Sequence, residues 1–118
     1  ERLSPEDWFV GAVAWSPEGD RVVVERLEAQ RHGTFTVHLW LLTLSGDPPR
    51  QLTLDETYRE ERPVWTPDGG QIVFHRWQVA RPEPAGLWIL QLTDGELQLL
   101  VDEGADPQIA SYTAGAGG

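Results

Sequence analysis

Ala14-Trp15-Ser16-Pro17-Glu18-Gly19-Asp20-Arg21-Val22-Val23-Val24-Glu25-Arg26 returns 50 residues later as Val64-Trp65-Thr66-Pro67-Asp68-Gly69-Gly70-Gln71-Ile72-Val73-Phe74-His75-Arg76. Downstream, Leu39-Trp40-Leu41-Leu42-Thr43-Leu44-Ser45-Gly46-Asp47 returns 48 residues on as Leu87-Trp88-Ile89-Leu90-Gln91-Leu92-Thr93-Asp94-Gly95. The two-residue slack falls in the loop between these segments. A self-similar period of this length marks a stacked repeat architecture, because one such unit cannot bury its own faces.

Within each repeat the pattern reads as four short strands separated by turn chemistry. The first strand, Val10–Trp15 and again Arg62–Thr66, ends in Ser-Pro-Glu-Gly-Asp or Thr-Pro-Asp-Gly-Gly. Proline sets φ at the second turn position, an acid suits the third, and glycine takes the left-handed position that follows. Valine at Gly19 or Gly69 is therefore expected to cost more than valine at Gly46. The second strands follow at Arg21–Arg26 and Gln71–Trp77, the third at Thr36–Leu44 and Leu87–Thr93, the fourth at Arg50–Leu54 and Leu97–Val101. Val22-Val23-Val24, Ile72-Val73-Phe74 and Leu39-Trp40-Leu41-Leu42 are apolar at consecutive positions, so both faces of each sheet need covering. The fourth strand of the first repeat is more polar, as suits an edge. Leu27–Phe35 and Gln78–Ala85 read as loops, and Asp55-Glu56-Thr57-Tyr58-Arg59-Glu60-Glu61 as a solvated acidic connection. Asp106-Pro107-Gln108-Ile109 parallels Arg62-Pro63-Val64-Trp65 and starts a third unit, before a glycine-rich tail. The expected organisation is all-β: four antiparallel strands in 1–54, four in 55–105, and in 106–118 the inner strand of a further unit with a flexible end.

Around Trp15-Ser16-Pro17-Glu18-Gly19-Asp20 and Trp65-Thr66-Pro67-Asp68-Gly69-Gly70 the chain resembles the Trp-Ser-Pro-Asp-Gly repeat of TolB-like β-propellers, relatives of the WD-repeat class. The aliphatic-Trp strands (Leu39-Trp40, Leu87-Trp88) fit that pattern, as does Gln51-Leu52-Thr53, whereas Leu99-Leu100-Val101 departs from it. The likeness runs from about Val10 to Ile109. It implies that each repeat is one four-stranded blade whose first strand lines a central channel. Such blades occur in periplasmic TolB, which binds peptidoglycan-associated lipoprotein, in sensor-like and lipoprotein propellers, and as the gating propellers of prolyl-oligopeptidase-type enzymes. A periplasmic or other extracytoplasmic location follows from the resemblance only.

Composition narrows the chemistry. The net charge is -10 and all nine cations are arginine, which argues against nucleic acid, whose binding needs clustered cations. Cysteine is absent, so there is no disulfide framework, thiolate metal site or thiol nucleophile. No apolar run is long enough for a helical membrane span. The chain opens on Glu1, as expected of a processed product or a piece of something longer. His32, His38 and His75 lack metal-ligand spacing. Ser4, Ser16, Ser45 and Ser111 lie outside any Gly-x-Ser-x-Gly elbow. The expectation is no catalysis, no metal and no cofactor. Four of the six tryptophans, Trp15/Trp65 and Trp40/Trp88, hold equivalent repeat positions and read as packing residues.

One surface stands out. In a four-stranded antiparallel sheet the inter-repeat connections and the second-to-third loops open on the same side. That side collects Asp55, Glu56, Tyr58, Glu60, Glu61, Asp102, Glu103 and Asp106 from one loop class. The other class supplies Arg31, His32 and Arg81, flanked by Arg26 and Arg76. Two readings stand: a solvated surface of mutual salt bridges, or a mixed-charge docking face for a protein or peptide, with Arg31, His32, Asp55, Glu56, Tyr58, Arg81, Asp102 and Glu103 as contact residues. The functional expectation is a non-catalytic propeller scaffold for protein–protein interaction. The alternatives are the propeller accessory of a prolyl-oligopeptidase-type peptidase, and a structural or engineered fragment. A sheet of four strands presents roughly 300 Å² of planar area per face, and two stacked sheets leave two apolar sides. A homo-oligomer, or a place within a longer propeller chain, is the expected means of covering them.

Overall fold

The computed structural model describes residues 8–29, 35–80 and 83–101. Eight strands run in chain order: β1 (Phe9–Trp15), β2 (Arg21–Ala29), β3 (Phe35–Thr43), β4 (Arg50–Gln51), β5 (Tyr58–Trp65), β6 (Gln71–Gln78), β7 (Pro84–Gln91) and β8 (Leu97–Val101). They form two four-stranded sheets of order β1-β2-β3-β4 and β5-β6-β7-β8, antiparallel throughout. No helix occurs among the described residues. The expected all-β pair of four-stranded antiparallel sheets is the observed architecture. The expected strand in 106–118 lies outside the described residues.

The duplicated turns form as their chemistry dictates. Gly19 and Gly69 donate to the carbonyls of Ser16 and Thr66 at 2.8 and 2.9 Å. Their φ angles are 77° and 74°, a region that penalises any Cβ. The Ser16 and Thr66 hydroxyls close each turn by accepting the amides of Arg21 and Gln71 at 3.2 and 3.1 Å. Gly46 also sits at positive φ, 89°, so the expected contrast between Gly46 and the two turn glycines has no conformational basis.

Several boundaries move. The strand β5 begins at Tyr58, inside the run expected to be a solvated connection, and Tyr58 pairs with Gln78 and Glu60 with Arg76. The strand β2 extends to Ala29, into the expected loop. In contrast, β4 keeps only Arg50–Gln51 of the expected Arg50–Leu54, since beyond it the Leu39 carbonyl takes the Leu52 amide at 2.8 Å while the Leu39 amide goes to the Thr53 hydroxyl at 3.0 Å instead of a strand carbonyl. Both inner strands carry a bulge, between Val10 and Val13 and between Glu61 and Val64. Glu25 ties the two bulges together: its carboxylate accepts the Ala12 amide at 3.1 Å and, from the other sheet, the Arg62 amide at 2.7 Å. Arg62 holds a left-handed φ of 59° there.

Because side chains alternate between faces, each consecutive apolar run divides. Val23, Leu39, Leu41 and Leu52 of the first sheet meet Trp65, Ile72, Phe74, Leu90 and Leu92 of the second in the central core. Val22, Val24 and Leu42 point to the far face of the first sheet, with Trp8, Val10 and Trp40 packed against them. Val73, Leu87 and Ile89 occupy the far face of the second, beside Leu100 and Val101. Val22, Val24, Leu42, Val73, Leu87 and Ile89 are themselves buried, and the side chains packed on them are half-buried. The large apolar side chains left exposed on the outer sides are Val13, Trp15 and Leu44 of the first sheet and Val64 of the second; Phe9, Phe35, Leu54 and Leu99 are exposed as well. The bare area on each side is thus narrower than the run of apolar residues led one to expect.

Candidate functional site

The inter-repeat connection and the β6–β7 connection do open together. The Val79 amide at the end of β6 donates to the Thr57 carbonyl at 3.0 Å, and the Tyr58 amide to the Asp55 carbonyl at 3.2 Å. Asp55 and Glu56 are exposed on this rim, and Tyr58 is half-buried beside them. The Asp55 carboxylate accepts the Thr57 hydroxyl at 2.7 Å and the Thr57 amide at 3.0 Å. Those two bonds, the hydroxyl foremost, hold its pKa below the ordinary carboxylate value. Of the expected contact residues, Asp55, Glu56 and Tyr58 are therefore brought to one place. Arg31, His32, Arg81, Asp102 and Glu103 lie outside the described residues.

Two groups expected on that surface are internal. Glu60 is fully buried, and Arg76 is 4% exposed. Alternation along β5 turns Glu60 inward, between the sheets. One carboxylate oxygen accepts the Arg76 Nε–H at 3.0 Å. The other accepts the Thr53 hydroxyl at 2.8 Å and lies 2.8 Å from His38 Nδ1. Since a carboxylate can only accept, Nδ1 carries the proton. The Thr53 oxygen in turn accepts the Leu39 amide at 3.0 Å. His38 on β3 and Thr53 just past β4 belong to the first repeat, Glu60 and Arg76 to the second sheet. The carboxylate thus joins the two units where little water reaches, with three donors around it.

This cluster combines a hydroxyl, an imidazole and a carboxylate, but not in a relay. A general base needs its second nitrogen aimed at the hydroxyl. Thr53 lies instead on the Nδ1 side, 3.4 Å away, and gives its proton to Glu60. His38 Nε2 finds no hydrogen-bond partner among the described residues. Among the described residues no group of three or more His, Asp or Glu is placed to hold a metal ion. What the arrangement does is fix one sheet on the other.

A second repeat-locked feature was not foreseen. The Arg76 guanidinium lies between the rings of Tyr58 and Trp88, at 4.3 and 4.8 Å from their centroids. Arg26 lies between Trp8 and Trp40, at 4.0 and 5.2 Å. Each is a cation clamped by two aromatics, Tyr58 and Trp88 on the flanking strands β5 and β7 in one case, Trp8 just before β1 and Trp40 on β3 in the other. Aligning Trp8 with Tyr58 at the same 50-residue offset is the signal that would have revealed it. These arginines are structural clamps and not free cations of a docking face.

No family model matches the chain, and no curated protein matches it. Solved structures do. The structure of a putative TolB from Agrobacterium tumefaciens is similar over 87% of this chain and 32% of its own, with a TM-score of 0.57 and 16% identity. The β-propeller domain of the Trilobed protease from Pyrococcus furiosus, which has an open velcro topology, is similar over 82% of this chain and 28% of its own, with a TM-score of 0.63 and 15% identity. The chain has a β-propeller fold. Its two sheets are blades, and it spans less than a third of the length of either neighbour. At such low identity the likeness speaks for the fold alone.

The blade boundary gives that fold its local chemistry. Trp65 is 7% exposed and its indole N–H donates to the Ala14 carbonyl of the first blade at 2.7 Å. Arg21 of the first blade stacks on the same ring at 4.8 Å and donates to the Gly69 carbonyl at 3.0 Å. Arg50 reaches the Leu92 carbonyl at 3.2 Å. Together with Glu60 and Glu25, these bonds stitch the two blades along their whole depth.

Proposed function

We propose that this chain is a non-catalytic propeller segment, TolB-like in kind, that serves as a docking scaffold for a protein or peptide. The observation that carries the reading is the bond between Thr57 and Val79, which joins the two loop classes into one rim with Asp55 and Glu56 exposed on it. A rigid rim suits binding, because little ordering entropy is then lost on contact. The buried Glu60 cluster directly behind β5 supplies that rigidity. With the exposed rim acidic and the chain at -10 overall, the preferred partner is a basic segment. An extracytoplasmic setting is part of this reading and rests on the TolB resemblance.

Synthetic peptides of matched length and graded net charge provide the test. Basic peptides should bind in preference, more weakly as salt is raised, and Asp55→Asn with Glu56→Gln should reduce that binding severalfold. Binding indifferent to peptide charge, or untouched by the double substitution, would contradict it.

The similarity to a protease's propeller domain favours a second reading: an accessory propeller whose catalytic domain lies elsewhere in a longer chain. A Gly-x-Ser-x-Gly elbow encoded in frame beside this segment would select it. Further repeats of the same kind and nothing else would select the scaffold.

A further inference from the structure

Each end of the two-blade unit carries one half of the interface that is complete in its middle. Trp65 is sheathed by the first blade, whereas its counterpart Trp15 is 50% exposed, with Val13 and Leu44 exposed on the same face. At the other end, Val64 is the counterpart of Ala14, whose carbonyl takes the Trp65 indole. Val64 is exposed and pairs with Val73 of the far-face cluster. The polar residues of the middle interface change together at the ends. Where blade two has Glu60, blade one has Val10. Where blade one has His38 and Thr53, blade two has Gly86 and Val101, at the 48-residue offset of the third and fourth strands.

These changes are matched. Burying a carboxylate against Gly86 and Val101 would leave it without donors, at a cost of several kcal/mol or more. Val10 brings no polar group to strand there, and Arg26, the counterpart of Arg76, has its own carboxylate in Glu28 at 3.6 Å. Conversely, His38 and Thr53 have their carboxylate already, inside the same chain. The first blade is therefore built to sit on a surface like the far side of the second blade, and not on a copy of its own inner side. Gln71, the counterpart of Arg21, keeps an amide donor at the position that bonds the adjoining blade's turn.

We propose that a second copy of this chain covers each end face, docked head to tail. The first blade of one copy seats on the second blade of another, and the Trp15 indole N–H bonds the Val64 carbonyl of that copy, as Trp65 bonds Ala14 within the chain. The contact is heterologous, so it propagates until it closes. Three copies make six blades and four make eight, both within the range of closed propellers. This inference is independent of the docking rim, which lies at the loop ends of the blades.

The test is sedimentation with light scattering on the 118-residue chain over a broad concentration range. The expected species has three or four times the 13.2 kDa of one copy. Trp15→Glu and Val64→Arg alter exposed side chains, so each variant should keep its wild-type circular dichroism while its mass falls three- to fourfold, to that of one copy. Mixed together, the two variants retain one intact face each and should form a dimer that neither forms alone. A wild-type chain that stays a single copy when concentrated would overturn the proposal and leave the end faces to further blades of a longer polypeptide. An oligomer that survives both substitutions, or variants that fail to pair, would overturn it as well.

Discussion

Trp15 and Trp65 share a repeat position, a strand end and a turn, yet one is half exposed and the other is sealed beneath Arg21. Val10 and Glu60 share another position, and there the residue itself has changed from a buried-face aliphatic to a fully buried carboxylate. Between blade one and blade two the backbone is repeated but the surroundings are not. The repeat pattern specifies strands and turns, while each side chain's work depends on which blade lies against it.

Substitutions at paired positions can break or sharpen that contrast, measured by denaturant unfolding at one fixed protein concentration. The largest difference is expected at Glu60. Glu60→Ala leaves Arg76 and His38 buried without their carboxylate and should cost about 3–5 kcal/mol, against about 1 kcal/mol for Val10→Ala at the equivalent, half-buried site. Equal costs at the two positions would mean that the cluster contributes nothing beyond packing. Next comes the indole bond. Trp65→Phe keeps most of the ring but strands the Ala14 carbonyl, for about 1–2 kcal/mol, whereas Trp15→Phe should stay within about 0.5 kcal/mol for a copy without a neighbour.

Smaller effects separate the turns and the rim. Alanine at Gly19 meets open space and should cost only the left-handed penalty, about 1–2 kcal/mol. At Gly69 a Cβ would also stand 3.2 Å from Arg21 Nη2 and from Glu18 Oε1, so Gly69→Ala should cost a few tenths of a kcal/mol more. Equal losses would show that Arg21 yields freely. The smallest effect concerns Asp55. Its folded-state pKa is depressed, so its contribution is present above the unfolded value of about 3.9 and fades as pH falls through the folded one. Thr57→Val removes the leading cause, and a carboxyl NMR titration should then find the Asp55 midpoint raised toward the ordinary value. Asp68, held low by the Gly70 amide and the Thr66 hydroxyl, should not move.

The turns, the strand order and the split of the apolar runs were legible because they depend on local chemistry repeated in register. The strand Leu97–Val101 was placed to the residue for that reason. Glu60 was misplaced because a run of acids beside Tyr58 looks like a solvated connection when read alone. Alignment with Val10 shows an acid at a strand position that is aliphatic in the other repeat, a sign of a buried charge with partners elsewhere. Those partners lie 22 residues away on β3 (His38) and 7 residues away just past β4 (Thr53), and no local pattern links them. The Glu25 clamp was illegible for the same reason, since Glu25 reaches a bulge residue, Arg62, 37 positions away on the other sheet.

The central claim is that Glu60 belongs to the neighbouring blade as much as to its own, and a double-mutant cycle between Glu60 and His38 tests it most directly. Unfolding of Glu60→Ala, His38→Ala and the double variant should give a coupling energy of about 1–3 kcal/mol, with the double variant losing less than the sum of the singles. Losses that add to within about 0.5 kcal/mol would mean that the two blades do not share this carboxylate energetically, and would contradict the account.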